Sequence, residues 1–247
     1  MKLTVERIAF SYGKEPLFKG LSFDVAAGEF VSILGPSGCG KSTILNLLAG
    51  ILTPESGEMR VDGAPIQGMS GHFAYMPQND LLFPWKTIMQ NVCLHGQIHG
   101  NAKAAQARAE ALFPLFGLAG YENAWPGDLS GGMRQRAAFL RTALCDADIL
   151  LLDEPFGALD VISRGDMQDW LASMKTHLGR TCLLVTHDID EAIYLSDRIL
   201  VLTGRPADIR REYRVTEANR NRDWLYDQGA LRHSLHDSIR GLEGEPC

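Results

Sequence analysis

The chain has 247 residues, is 45% hydrophobic and 22% charged, and has a net charge of −6 at pH 7. These values are typical of a globular protein with one large domain or two small ones and an ample core. The negative charge argues against a global basic field that would recruit nucleic acid, although a local basic stripe remains open.

The N-terminal stretch "MKLTVERIAF" alternates and carries charge, which is unlike a signal peptide. No apolar run approaches the ~20 residues that a membrane helix needs. The five cysteines are scattered and form no C-x-x-C pair, which indicates free thiols in a reducing compartment and no metal cluster. We therefore expect a protein that is soluble by itself and has a membrane role only through a partner.

Short segments near the N-terminus have the pattern of half-exposed strands. The apolar residues Leu3, Val5, Ile8 and Phe10 stand among polar neighbours, "LSFDV" alternates likewise, and "GEMRVDG" lies between turn signals. This pattern predicts an antiparallel β subdomain at the start of the chain.

Four later segments are continuously apolar and are expected to be strands buried on both faces: "EFVSILG", "ADILLLDEP", "TCLLVTHD" and "DRILVLTG". Segments whose apolar residues have helical spacing lie between these runs. The apolar residues are Met133, Ala137, Leu140 and Leu144 in one segment and Met167, Leu171, Met174 and Leu178 in another. Buried strands that alternate with helices predict an α/β fold with a parallel sheet.

The remaining segments complete the predicted organisation. Residues from about Thr87 to Phe116 are alanine-rich and are expected to form an inserted helical region between two sheet strands. After Arg205 the sequence becomes polar and arginine-rich, which we interpret as an edge strand, "REYRV", and a helical tail. We predict one domain over residues 1–218, with the helical insertion at about 87–140, and a tail over 219–247.

A phosphate-binding loop is predicted at "GPSGCGKST", Gly35 to Thr43, between a buried strand and the apolar helix "ILNLLAG". Gly38 and Gly40 allow the backbone to fold around phosphates and to present N–H groups. Lys41 supplies a point charge to the β and γ oxygens, and Ser42 is a hydroxyl ligand for Mg²⁺. The nucleotide-binding residues of this loop are Gly35, Pro36, Ser37, Gly38, Cys39, Gly40, Lys41, Ser42 and Thr43.

Two acids end the buried strand "ILLLDEP". Asp153 is the candidate Mg²⁺ ligand, and Glu154 is the candidate general base or water-orienting residue. Because neighbouring strand residues point to opposite faces, both acids can serve one site only if the chain turns at Glu154, and Pro155 favours such a turn. The alternative is that one acid only caps the next segment.

A second glycine-rich helix start, "LSGGMRQR", is a weak signal alone because such a start is often only an N-cap. Its order relative to the phosphate loop, Gln78, "LLLDEP", "ALD" and His187 resembles the ATP-binding subunits of ABC transporters, from about Leu3 to Val215. The resemblance implies a P-loop NTPase (RecA-like) parallel-sheet core, an N-terminal antiparallel β subdomain and an inserted α-helical subdomain. It also implies ATPase activity with ATP and Mg²⁺.

In this family, two subunits enclose two ATP molecules head to tail. The resemblance therefore implies that Ser130, Gly131 and Gly132 contact the γ-phosphate bound to a second copy of the chain, in an isologous dimer. The family most often has Gln where this chain has Met133, so the resemblance does not imply a side-chain contact at this position.

The resemblance assigns roles to four further residues. Tyr12, in "FSYG", matches the aromatic residue that stacks on adenine, and Asp160 matches the loop that crosses the dimer interface. Gln78 matches the residue that reaches Mg²⁺ or the attacking water, so Ser42, Gln78 and Asp153 form the implied metal set. His187 matches a γ-phosphate contact. The implied catalytic residues are then Glu154, His187, Gln78 and Lys41.

"LLFPWKT" lies where the family receives a short helix of its membrane partner, and it particularly resembles importers of the nitrate, sulfonate and taurine type, with thiamine-precursor importers similar. The implied partners are a permease and, through it, an extracytoplasmic solute-binding protein. The implied location is peripheral, on the cytoplasmic face of the bacterial inner membrane. Two alternatives are a soluble ABC-type ATPase not coupled to transport and a module that binds ATP as a structural ligand.

Overall fold

The computed structural model describes residues 1–217 and 219–240. The strands in this part of the chain are β1 (Leu3–Tyr12), β2 (Glu15–Val25), β3 (Phe30–Leu34), β4 (Ser56–Val61), β5 (Ala64–Pro65), β6 (Phe73–Met76), β7 (Ile149–Asp153), β8 (Thr181–Thr186), β9 (Arg198–Thr203) and β10 (Asp208–Arg214). The helices are α1 (Lys41–Leu48), α2 (Ile88–Val92), α3 (Leu94–Ile98), α4 (Ala102–Leu112), α5 (Gly131–Ala143), α6 (Val161–Leu178), α7 (Ile189–Leu195), α8 (Arg222–Tyr226) and α9 (Gly229–Arg240).

The larger sheet has six strands in the order β10-β9-β3-β8-β7-β6. All neighbours from β9 to β6 pair in parallel, and only β10 pairs antiparallel, at one edge. The carboxyl ends of five strands therefore meet at one edge of the sheet, which is where ligands bind in open α/β sheets. This architecture confirms the predicted α/β fold with a parallel core.

The apolar strands are continuous in sequence because the two faces of the sheet pack against different clusters. In β7, Ile149 and Leu151 face the cluster that contains β1, β2 and α1, whereas Leu150 and Leu152 face the cluster that contains α5 and α6. All four leucine and isoleucine side chains have 0% exposure. A strand buried on both faces cannot alternate between apolar and polar residues.

The smaller sheet, in the order β2-β1-β4-β5, is antiparallel. Its alternating residues Leu3, Val5, Ile8 and Phe10 are buried, and their neighbours are more exposed. The predicted antiparallel subdomain at the start of the chain is therefore confirmed.

Helices α2 to α5 lie between β6 and β7, as expected for the inserted region. A capping box fixes the start of α2, because the Thr87 hydroxyl accepts from the Gln90 N–H and the Gln90 side chain accepts from the Thr87 N–H. Helix α5 extends to Ala143, three residues beyond the expected limit of 140. The bounds of the domains themselves remain predictions.

The C-terminal segment forms the expected edge strand, β10, and two helices, α8 and α9, which pack on α7. The last seven residues of the predicted tail, 241–247, lie outside the described residues. In the part that is described, no helix combines the length and the apolar character that spanning a bilayer requires.

Candidate active site

Four neighbouring strands of the larger sheet deliver the predicted site residues to one edge. The phosphate loop follows β3, His187 follows β8, Asp153 ends β7 with Glu154 next in the chain, and Gln78 follows β6. Because the spatial order is β3-β8-β7-β6, Glu154 lies between the segments that carry His187 and Gln78.

The phosphate loop has the conformation that its glycines were expected to allow, with φ of +81° at Gly38 and +103° at Gly40. Helix α1 begins directly after Gly40, and no side chain caps its start. The free N–H groups of its first turn are suited to bind an anion.

Lys41 is buried at 5% exposure, and its ammonium donates to the carbonyl oxygens of Gly35 at 2.9 Å and Pro36 at 2.8 Å. No ion pair of the described residues includes Lys41. A buried ammonium that only carbonyl groups satisfy is well placed to receive an anionic ligand, since buried charges require a counter-charge. The loop and Lys41 therefore fit a triphosphate.

Asp153 is buried and holds two hydroxyl donors. Ser42 Oγ donates to Oδ1 at 2.8 Å, and the Tyr75 hydroxyl donates to Oδ2 at 3.0 Å. Burial raises the pKa of Asp153 above its usual value, while the two hydrogen bonds oppose that rise. Carboxylate and hydroxyl oxygens are the ligands that Mg²⁺ prefers, so Ser42 and Asp153 fit that ion.

Glu154 has a φ of +43°, in the left-handed region that few residues other than glycine adopt. This turn at the end of β7 brings both acids to one side, which was the condition that the sequence set. The Glu154 carboxylate has Oε1 3.1 Å from His187 Nδ1 and Oε2 3.4 Å from Gln78 Nε2. Three predicted catalytic residues thus form one cluster beside the phosphate loop.

Tyr12 ends β1 and is 57% exposed, with its hydroxyl 3.4 Å from Thr43 Oγ1 on the helix that follows the loop. Its ring also packs edge-on against Phe10, with centroids 5.0 Å apart. An exposed aromatic face next to the phosphate loop is suited to stack on a base.

Ser130 and Asp160 act as N-caps and do not contact the Glu154 cluster in the described hydrogen bonds. The Ser130 hydroxyl accepts from the Met133 N–H at 3.3 Å at the start of α5. Asp160 Oδ1 accepts from two backbone N–H groups at the start of α6. The Ser163 side chain first, and then these N–H groups, lower the pKa of this carboxyl. Ser130 and Gly131 are exposed, so this second glycine-rich start is available to another molecule.

Two arginines that sequence reasoning did not single out join α5 to the segment after Gln78. Arg141 donates to the carbonyl oxygens of Asp80 and Leu81, at 2.6 and 2.8 Å, and Arg134 Nε lies 3.2 Å from Asp80 Oδ2. Sequence reasoning also missed Tyr75, whose partner Asp153 lies on the neighbouring strand. Nothing in "HFAYM" distinguishes that hydroxyl from an ordinary strand residue.

Comparison with protein-family models matches residues 18–157 to the ABC transporter family. The chain belongs to this family. It is 42% identical to the formylaminopyrimidine import ATP-binding protein of Halalkalibacterium halodurans, over 97% of this chain and 95% of that one. It is 39% identical to the taurine import ATP-binding protein of Yersinia pestis, over 99% of this chain and 89% of that one.

The fold of this ABC ATPase also matches solved structures. A dimeric bacterial ABC transporter cassette is 28% identical and has a TM-score of 0.72, over 87% of this chain and 99% of that one. A dimeric post-hydrolysis state of an ATP-binding cassette bound to ADP and phosphate is 26% identical and has a TM-score of 0.70, with the same coverage. These matches and the site geometry identify the chain as an ATP-binding protein with ATPase activity.

Proposed function

We propose that this chain is the ATP-hydrolysing subunit of an ABC importer, in which two copies close around two MgATP molecules. The observation that supports this proposal most directly is the cluster of Glu154, His187 and Gln78 beside the phosphate loop. A module that binds ATP only as a structural ligand has no need of a carboxylate held between two polar side chains at that edge.

In the proposed complex, the backbone N–H groups of the phosphate loop, which all its residues except Pro36 carry, and the Lys41 ammonium bind the phosphates, and Tyr12 stacks on adenine. Lys41 exchanges its hydrogen bonds to two loop carbonyls for hydrogen bonds to phosphate oxygens. Its positive charge then stabilises the negative charge that develops as the phosphoryl group transfers. Ser42, Asp153 and Gln78 would hold Mg²⁺, which when bound withdraws negative charge from the phosphate oxygens.

Glu154 is the proposed general base or water-orienting residue. Its carboxylate accepts a proton from the attacking water or holds that water in line with the γ-phosphorus. His187 and Gln78 flank the two carboxylate oxygens, which fixes the direction in which Glu154 points and provides two contacts for the water or the γ-phosphate.

A second copy completes each site in this proposal. Ser130, Gly131 and Gly132 are exposed or half-buried at the start of a helix and have no contact with the Glu154 cluster. They would bind the γ-phosphate held by the other copy, and Asp160 would lie at the interface. The relative with the dimeric cassette structure supports this arrangement. Hydrolysis then removes the anion that joins the copies, so they separate. ATP thus acts through its different affinities for the closed and open states.

The proposed partners are a membrane-embedded permease and, through it, an extracytoplasmic solute-binding protein. The exposed Trp85 stacks on Phe83, with ring centroids 5.1 Å apart, in the segment expected to meet the permease. The names of the relatives favour taurine-like sulfonates or a formylaminopyrimidine as solute. The proposed location is peripheral, on the cytoplasmic face of the bacterial inner membrane.

The test is Glu154→Gln, which keeps the shape of the side chain and removes its basicity. ATP hydrolysis should fall by roughly 10²–10⁴-fold, the usual contribution of a general base, while ATP affinity is retained. Ultracentrifugation with MgATP should find the variant as a dimer. Glu110→Gln is the matched control, because Glu110 is exposed on α4 and receives a similar bond from Gln106.

Parental hydrolysis by Glu154→Gln would refute the catalytic assignment. A monomer that binds MgATP without associating would refute the shared site. Co-purification with a hydrophobic membrane protein separates the importer subunit from a soluble ABC-type ATPase.

A further inference from the structure

Glu191 is a buried acid that the proposed reaction does not use. It lies in α7 at 4% exposure, four residues after His187. Gln168 Nε2 donates to its Oε1 at 3.2 Å, and the Thr186 hydroxyl donates to its Oε2 at 2.5 Å. Each carboxylate oxygen therefore accepts one hydrogen bond, as an ionised buried carboxylate requires.

Each of the two side chains that donate to Glu191 also accepts a hydrogen bond from a further residue. Thr186 Oγ1 also accepts from the Asp188 N–H at 3.0 Å, and Gln168 Oε1 accepts from Arg222 Nη1 at 3.0 Å. Every donor in this series points towards Glu191. The series therefore joins the tail, α6 and α7 to the loop between β8 and α7.

Thr186 and Asp188 are the two chain neighbours of His187. The His187 side chain is 52% exposed, and Glu154 is its partner among the ion pairs of the described residues. The position of the imidazole therefore depends mainly on the backbone that carries it. Bonds that fix the residues on both sides of His187 fix that backbone.

The tail holds the same elements from outside. Arg222 donates from Nε to Asp169 Oδ1 at 2.8 Å and from Nη2 to the Gly165 carbonyl at 2.6 Å. Arg232 binds Asp190 in the first turn of α7. The arginine-rich tail thus packs on the two helices that support the His187 loop.

We propose that Glu191 is a positioning residue for His187, and that Arg222 of the tail completes the series of hydrogen bonds through which it acts. This inference rests on the proposed ATP-hydrolysis function. Burial raises the pKa of Glu191 to about 7, so the comparison of Glu191 with Gln belongs at a pH above 7, where the ionised form prevails and both oxygens accept. Asp188 on the same segment raises this pKa further, whereas Arg164 on α6 opposes the rise.

Glu191→Gln keeps the size of the side chain and breaks the series. If the new amide presents its N–H to Gln168 Nε2, two donors face each other. If it presents its N–H to Thr186, that hydroxyl must accept instead of donate, and its own hydrogen loses its partner. We expect kcat to fall about tenfold with the KM for ATP within about twofold, because small misplacements of a reacting group cost catalysis more than binding.

The exchanged pair Gln168→Glu with Glu191→Gln provides a rescue. Glu at position 168 accepts from Arg222 and from the new amide at position 191, whose oxygen accepts from Thr186. Every bond in the series is restored without a change in net charge. We therefore expect the double variant to recover kcat to within about threefold of the parent.

The decisive comparison repeats Glu191→Gln in a His187→Ala background, with radiolabelled ATP to resolve slow hydrolysis. A positioning role predicts less than about a twofold further loss there, because the residue acts through His187. Glu110→Gln controls for a Glu→Gln change at an exposed Gln–Glu pair, and Glu154→Gln is measured in the same assay. Loss in Glu154→Gln with no loss in Glu191→Gln overturns this inference alone, whereas full activity in Glu154→Gln overturns the proposed function.

Three results would overturn the positioning role: parental kcat in Glu191→Gln, an equal loss with and without His187, or failure of the folded double variant to recover. If Glu191→Gln does not fold, Thr186→Val removes the same hydrogen bond from the other side. It must then lower kcat in the parent and leave it unchanged in His187→Ala.

Discussion

A single methyl group on Gly35 should displace the phosphate loop. Strands β3 and β9 are parallel neighbours with Leu34 opposite Val201, so the next residue, Gly35, lies against the backbone of Leu202. An ideal Cβ on Gly35 would stand 2.2 Å from the Leu202 carbonyl oxygen, below the 3.0 Å that real Cβ atoms respect. Both strands are buried, and packed interiors resist expansion, so the strands cannot move apart. The loop must therefore move away from Leu202 by about 0.8 Å.

That withdrawal should cost nucleotide binding more than stability. Each hydrogen bond that the loop donates to a charged phosphate contributes about 1.5–3 kcal/mol to binding. Loss of one of them to the phosphates raises Kd for ATP by roughly 10- to 140-fold, and loss of two by roughly 140- to 20,000-fold, at 1.4 kcal/mol for each factor of ten. Titration with a fluorescent ATP analogue measures this change, and a thermal melt checks that Gly35→Ala is folded.

Gly71→Ala is the matched control, because a Cβ there has no neighbour within 4 Å and the residue lies outside the loop. We expect it to bind ATP as the parent does. The steric reasoning would be refuted if folded Gly35→Ala bound ATP within about threefold of the parent, since the loop would then have absorbed the methyl group at no cost.

Two predictions concern stability. Arg198→Met should cost about 3–5 kcal/mol in urea unfolding. It leaves Glu29, whose side chain is only 12% exposed, without the guanidinium that binds it at 2.8 and 3.1 Å. Adding Glu29→Gln should recover much of the loss, and a cost below about 1 kcal/mol would contradict this prediction. The second prediction concerns Glu191, whose pKa is raised by burial from 4.5 to about 7. Between those values the folded state binds more protons than the unfolded state, so the contribution of this group to stability declines by about 3 kcal/mol as pH rises through that window. The free-energy difference between the parent and Glu191→Gln should decline accordingly, and a difference independent of pH would show that the carboxyl titrates normally.

Hydrophobic patterning was sufficient to predict the α/β class with a parallel sheet and the antiparallel subdomain at the start of the chain. The continuous run of β7 and the alternating run of β1 differ because the first is buried on both faces and the second on one. The strand order β10-β9-β3-β8-β7-β6 was not predictable in the same way. Pairing between strands depends on contacts that are distant in sequence, and the four continuously apolar strands β3, β7, β8 and β9 carry the same signal.

The positions of the candidate site residues could be predicted where a motif or a place in the chain determined them. A turn at Glu154 was expected from Pro155 and from the need to bring two neighbouring acids together, and the backbone turns there with a positive φ of +43°. Tyr75 and Glu191 could not be predicted. Each acquires its role from a partner on another element, Asp153 on β7 and Gln168 on α6.

The three side chains of the Glu154 cluster belong to segments that are held by different parts of the fold. Glu154 directly follows a central strand, and its N–H donates to Val185 on the next strand. Gln78 leads into the segment that Arg141 on α5 holds by two carbonyls. A displacement of α5 would therefore move Gln78 away from Glu154, because Glu154 is fixed to the sheet and does not move with α5. Since Ser130 caps the start of α5, the proposed contact of that helix start with the ATP of a second copy would also act on the position of Gln78.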